Sequence, residues 1–272
     1  MGLFNFFKKK KVGNEPKQPV QEQKPPTLKF TDKNGNEITT EELAQATGRY
    51  QYEMIGVNNA SEEAMVLHNE ARQFGQAGEY DLAIEKLFLA HERSPKWPYP
   101  LYDLAFTYML KDDYDNALKY YQMTDVLAPN GFFTSKIAVF TLKKEQEGVF
   151  EKGLYRNYIT LEWVQDPEQK AEFLDVLVTK FPNYAPYWKD YANTLDGEER
   201  INALEKGLQL DCDVETEGSL KINKALAIDY IQKDTEGAIN ILLEVIFDKS
   251  STFGNVELAK FVLKNISINS DH

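Results

Sequence analysis

The stretch from Tyr80 to Pro129 reads YDLAIEKLFLAHERSPKWPYPLYDLAFTYMLKDDYDNALKYYQMTDVLAP, and it contains one theme twice. Tyr80-Asp81-Leu82-Ala83 returns 34 residues later as Tyr114-Asp115-Asn116-Ala117. Pro95 returns as Pro129, and extending upstream in the same register pairs Leu67 with Leu101 and Ala71 with Ala105. Leu87 is matched by another large residue, Tyr121. A period in this range is the mark of stacked supersecondary units. Two antiparallel helices of about fourteen residues with short turns fill such a period. Ala71 and Ala83 let the paired helices approach closely, and Leu67, Phe74, Tyr80 and Leu87 fill the space around them. Gly78 suits the left-handed close of a first helix. Pro95 and Pro129 stop the second helix of each unit, whereas Pro98 and Pro100 fall where a starting helix tolerates a missing N–H.

The pattern Leu67, Ala71, Phe74, Tyr80, Ala83, Ala90, Pro95 resembles the tetratricopeptide repeat family. The next unit matches it through Leu101, Leu104, Ala105, Tyr108, Tyr114, Ala117 and Pro129. The resemblance implies a right-handed superhelix with a concave groove that binds peptide segments. It weakens after Pro129. Glu151 stands where the packing Ala belongs, and three helical segments, not two or four, lie between Pro129 and Pro182, so the register slips and a departure from plain stacking is expected there. Trp188, Tyr191, Ala192, Leu195 and Ala203 fit a unit with a short turn; Ala227, Tyr230, Ala238 and Leu242 suggest another.

From Ser61 on, apolar residues recur at three- and four-residue spacing between Pro, Gly and Asp breaks. The spacing predicts helices over 61–77, 80–93, 98–111, 114–127, 131–146, 149–163, 167–181, 184–195, 197–210, 217–232, 235–248 and 254–265. The fold class expected is therefore all-α: a tetratricopeptide-like solenoid of helical hairpins with about twelve helices over 61–272. Its clearest repeats are 64–97 and 98–131, degenerate ones fill 132–252, and 254–265 caps the array with Lys260 and Lys264 on the wet side.

Upstream the character changes. Residues 1–26 form a basic tail, rich in Pro and Gln beyond Val12, with too little to bury to fold. Within 27–60 a short hairpin and a linker helix are expected. The runs 28–31 and 37–39 flank Asn34-Gly35, a pair that tolerates the positive φ of a tight turn. Asp32, Asn34 and Asn36 have the spacing of a calcium loop. Glu37 replaces its Gly and Leu43 its closing Glu, so the hairpin reading prevails.

Charge is divided. Residues 1–30 carry seven Lys against two Glu, a balance of +5, so the net −12 leaves −17 on 31–272. An acidic body lacks the basic face that nucleic acid requires. The run Phe4, Phe6, Phe7 followed by Lys8, Lys9, Lys10 and Lys11 is a candidate for weak contact with an anionic membrane; the competing reading is a solvated tail. Apolar-then-basic order is the reverse of a secretory signal, Phe6 stands where a myristoylation motif wants Ser or Thr, and no apolar run reaches membrane-spanning length. The expectation is a cytoplasmic protein, peripheral to the inner face of a membrane if the tail binds there. The single cysteine, Cys212, sits between Asp211 and Asp213, whose charges oppose a reactive thiolate. His68, His91 and His272 have no metal-ligand spacing, and no glycine-rich phosphate loop is present. No catalytic, cofactor or metal role is assigned to any residue.

Function is expected in the groove, lined by the first helix of each unit. The candidate contacts are Met65, His68 and Arg72, then Tyr99, Tyr102, Phe106 and Met109, then Phe133, Lys136, Phe140 and Lys143. Aromatic and Met side chains offer large, adaptable contact area. In an alternative reading these rings are covered by the chain's own N-terminal segment or by tighter coiling of the superhelix. Some relatives in the resembling family grip a C-terminal carboxylate; at those positions stand His68, Arg72, Asp103, Phe133 and Ile137, and only Arg72 suits that role. The expected function is a non-enzymatic scaffold or adaptor holding a protein or peptide partner. A regulatory sensor that closes around a peptide or effector is the second reading.

Overall fold

The computed structural model describes residues 27–31, 51–55 and 60–270. Its twelve helices among these residues are α1 Glu62–Gln76, α2 Tyr80–Arg93, α3 Tyr99–Leu110, α4 Tyr114–Leu127, α5 Ser135–Gln146, α6 Leu154–Thr160, α7 Pro167–Lys180, α8 Ala185–Ala192, α9 Gly197–Leu208, α10 Val214–Ala227, α11 Thr235–Phe247 and α12 Phe253–Ser270. Helices adjacent in sequence pack on one another, α1 on α2 and α3 on α4 most extensively, as helical hairpins do; α6 and α7 are the exception. The all-α, tetratricopeptide-like class expected from the repeat is the class observed.

Local chemistry sets the boundaries. Ser61 caps α1 by accepting from the Ala64 N–H at 3.2 Å, with Glu62 and Glu63 complementing the helix dipole. Gly78 takes φ +79° to turn the chain into α2. One period later the same turn is made by Asp112 at φ +60°, a conformation costly for a residue with a Cβ. Several starts and ends differ from the periodicity, among them the end of α8, which stops at Ala192 and not at 195. Gly131 at φ +93° and Phe133 at φ +46° keep the chain in a turn, so α5 begins at Ser135 and not at 131. Gly153 at φ +90° delays α6 to Leu154. Asp213 accepts from the Glu215 and Thr216 amides at 2.9 and 3.0 Å, starting α10 three residues early. Finally, α12 continues to Ser270, past the expected 265.

Upstream, β1 Thr27–Thr31 pairs antiparallel with β2 Gln51–Ile55, Thr31 opposite Gln51. The strand at 28–31 agrees with the sequence pattern, but its partner lies further along the chain than the pattern indicates. The Asn34-Gly35 turn and the run 37–39 lie outside the described residues, as do the tail 1–26 and the linker helix.

Two apolar cores run through the array. The first joins α1 to α8 and is rich in buried tyrosines, with Tyr121, Tyr155, Tyr184 and Tyr187 wholly enclosed. The second joins α8 to α12 through smaller side chains such as Ala203, Ala225, Ala227 and Ala259. Trp188 and Tyr191 of α8 pack against both.

A plain solenoid touches only its neighbours. This one does more. Helix α10 lies against α5, the Phe253 N–H donates to the Asn130 carbonyl at 2.6 Å, and Lys144 pairs with Asp211 at 2.9 Å. The chain therefore curls until the turn before α12 meets the turn before α5. Three helices between Pro129 and Pro182, the predicted place of departure, lie within the arc that is closed.

Candidate groove

The candidate residues fall into three columns at the repeat spacing: Met65, Tyr99 and Phe133; His68, Tyr102 and Lys136; Arg72, Phe106 and Phe140. Spacing of three and four along a helix places each set on one face. In the fold the columns are partly joined by ring contacts. His68 lies edge-on to Tyr99 at 6.0 Å between centroids, and Tyr99 edge-on to Phe133 at 5.7 Å. Tyr102 reaches Phe133 at 5.3 Å, so rings of α1, α3 and the turn before α5 form a continuous ladder. Each such pair contributes about 0.5–1.5 kcal/mol beyond simple burial.

Burial separates the candidates. Met109 is fully enclosed in the first core and offers a partner no surface. The apolar stripe of α3 is broad enough that its last-turn methionine turns into the core. His68 is also buried, and its Nε2–H donates to the Asp103 carboxylate at 2.7 Å; the acceptor that would repel a bound carboxylate is thereby engaged within the protein. Tyr102 shares a hydroxyl network: its OH lies 2.8 Å from Thr134 Oγ1, which lies 2.9 Å from the Tyr155 OH. Burial pushes the Tyr102 hydroxyl up to about 12. His68 and Met109 are thus framework, not contact surface, whereas Tyr102 has its hydroxyl tied down within the protein but a ring that stays half-buried.

The other candidates differ. Arg72 and Lys143 are exposed, and Met65 keeps 37% of its surface. Tyr99, Phe106, Phe133 and Phe140 are half-buried. Phe106 and Phe140 rest on the first core, and the Lys144 ammonium stands over the Phe140 ring at 5.6 Å. Lys136 is half-buried and held by Asp125 at 2.7 Å. The membrane candidates Phe4, Phe6, Phe7, Lys8, Lys9, Lys10 and Lys11 lie outside the described residues.

Sequence reading did not find the charged cluster behind Lys136. Lys189 of α8 lies 3.2 Å from Asp190 and donates to the Tyr158 hydroxyl at 2.9 Å. Burial pulls its ammonium down, but Asp190 and Tyr158 outweigh that and hold it well above the usual lysine range. Glu215 at the start of α10 is pushed up to about 7 by burial, and Asp213 is raised by the same cause. Nothing in the local pattern marks these residues, because their neighbours come from other helices.

Cys212 is half-buried, and burial, reinforced by Asp213, pushes its thiol up to about 12. Among the described residues no group of three His, Cys, Asp or Glu is placed to hold a metal ion, and no helix is long and apolar enough to cross a membrane.

No family model matches the chain, and no curated protein matches it. Among solved structures it is similar to a MamA RS-1 ArsTM double mutant, at 18% identity and a TM-score of 0.30, covering 78% of this chain and 98% of that one. It is also similar to TTC0263, a thermophilic TPR protein of Thermus thermophilus, at 17% identity and a TM-score of 0.31, covering 74% and 99%. Scores this low carry no argument about the fold or the function; the architecture rests on the chain's own helices.

Proposed function

We propose that the chain is a protein-binding scaffold that holds an extended peptide segment against the N-terminal part of its concave face. The observation that carries this is the half-buried ring pair Tyr99–Phe133, braced from within by the buried His68 and flanked on α1 by the exposed Met65 and Arg72. Rigid aromatic anchors beside an adaptable Met and a cation suit recognition of a peptide with apolar side chains and a carboxylate.

The test is a double variant, Met65→Ala with Arg72→Glu. Both positions are exposed, so the melting temperature should stay within a degree or two. Capture of peptides from a random phage-displayed library should fall about tenfold or more. Undiminished capture by the variant sinks the proposal.

The contact between α10 and α5 favours a second reading, the sensor. A solenoid that already touches itself can change its closure when a ligand arrives.

A further inference from the structure

The self-contact of the solenoid has a defined anatomy. It begins at Asn130, whose carbonyl accepts the Phe253 N–H at 2.6 Å. Gly131 follows at φ +93°, so close to Thr252 that a Cβ would sit 2.9 Å from the threonine Cβ and Cγ2 and 3.5 Å from Glu215 Oε2. Thr252 is itself buried. The contact ends at the Lys144–Asp211 pair, on the opposite end of α5. The Asn130 and Phe253 sides are more than a hundred residues apart in sequence.

Its make-up differs from that of the hairpin interfaces. Those are sealed by large buried side chains such as Leu101, Leu104 and Tyr121. The closure includes one backbone hydrogen bond, one glycine–threonine approach, the facing charges of Lys136 on α5 and Glu215 on α10, and one ion pair whose Asp211 is 73% exposed. Such a pair contributes little in water, and few apolar contacts mean a low cost of local opening. Meanwhile the closure sets α10 against α5, the helix that carries Lys136 and Phe140.

We infer that the meeting of the 130–131 turn with the 252–253 turn is a releasable clasp: while shut it holds α10 to α12 over the α5 part of the concave face, and its release uncovers that part for an extended peptide. This rests on the groove reading above and adds to it a regulated, longer site. The clasp is autoinhibitory. A segment occupying only α1 and α3 meets the open face, whereas one long enough to reach Lys136 and Phe140 must displace the C-terminal helices.

The experiment compares Gly131→Ala with Gly148→Ala in the full chain. Both positions have a left-handed backbone, φ +93° and +72°, but a Cβ at Gly148 meets nothing within 4 Å. The two variants therefore share backbone strain, and only the first strikes the other side of the clasp. Amide hydrogen exchange is followed at 250–256, alongside amine-reagent labelling of Lys136 and Lys144. Gly131→Ala should speed exchange at Phe253 about tenfold or more and raise both lysine reactivities, with α8 and α9 still protected; Gly148→Ala should do neither. Asp211→Lys, a surface change opposing Lys144, should reproduce the exchange effect without threatening the fold. Equal exchange in the two glycine variants overturns the clasp. So does a uniform loss of protection throughout Gly131→Ala, because the closure would then be integral to the fold. Capture from the random-peptide phage library separates the two ideas. An opened variant that captures no more peptide than the parent ends the autoinhibitory reading. If no variant and no parent captures peptide, the groove reading falls while the exchange data alone decide the clasp.

Discussion

At the scale of single residues, Glu215 is where the closure meets solution chemistry. Burial is the main reason its carboxyl rises from 4.5 to about 7. Asp213 adjoining the same helix adds to the rise; a hydrogen bond from Thr252, and the ammonium groups of Lys189 on α8 and Lys136 on α5, oppose it. A carboxyl raised by folding binds its proton more tightly in the native state than in the unfolded one. Stability then falls as pH climbs from 4.5 toward 7, and the loss is complete above that. Its size is on the order of 3 kcal/mol. Glu215→Gln should flatten this part of the profile and leave the protein more stable than the parent at about pH 8, as measured by denaturant unfolding across pH. An unchanged slope would show that the group is solvated. Asp213, raised in the same direction, supplies a residual slope in the variant.

Among the elements, α6 shows how a degenerate unit is kept helical. The residue at the packing-alanine position is Glu151, which is exposed, and the helix starts three residues later. Its first amides are satisfied from α5: Glu145 accepts from the Gly153 and Tyr155 N–H groups at 2.8 and 2.7 Å. Glu145→Ala removes this cap and should cost about 1–2 kcal/mol. Faster amide exchange should be confined to 153–160, with α1 and α2 unaffected; protection equal to the parent would exclude a capping role. What is legible in the sequence follows from the same scale. Helices with a repeating apolar stripe and Pro or Gly punctuation, such as α2 and α4, are placed to the residue by their periodicity. Where a start depends on backbone handedness, at Phe133 or Gly153, periodicity has nothing to register. Met109 escapes it for a related reason: spacing identifies the face of α3 but not how far each side chain on it lies from the rim. Tyr102 reads as an aromatic on a groove face, while the Thr134 and Tyr155 hydroxyls that hold it come from other segments.

For the whole molecule, the repeat announces hairpins but not how tightly they coil. Coiling accumulates small rotations between units, and a degenerate third unit changes them without leaving a motif. The contact of Asn130 and Gly131 with Thr252 and Phe253 is therefore invisible in the sequence. The central claim is that a partner lies along the open, N-terminal part of the concave face. Its most direct measurement places a photo-crosslinking amino acid at position 72 in the full chain, with the same substitution at Glu85, exposed on α2, as the control. Irradiation in cells followed by mass spectrometry should give a discrete peptide adduct from position 72 and none from position 85. Identical adducts from both positions, or none from position 72, would contradict the account.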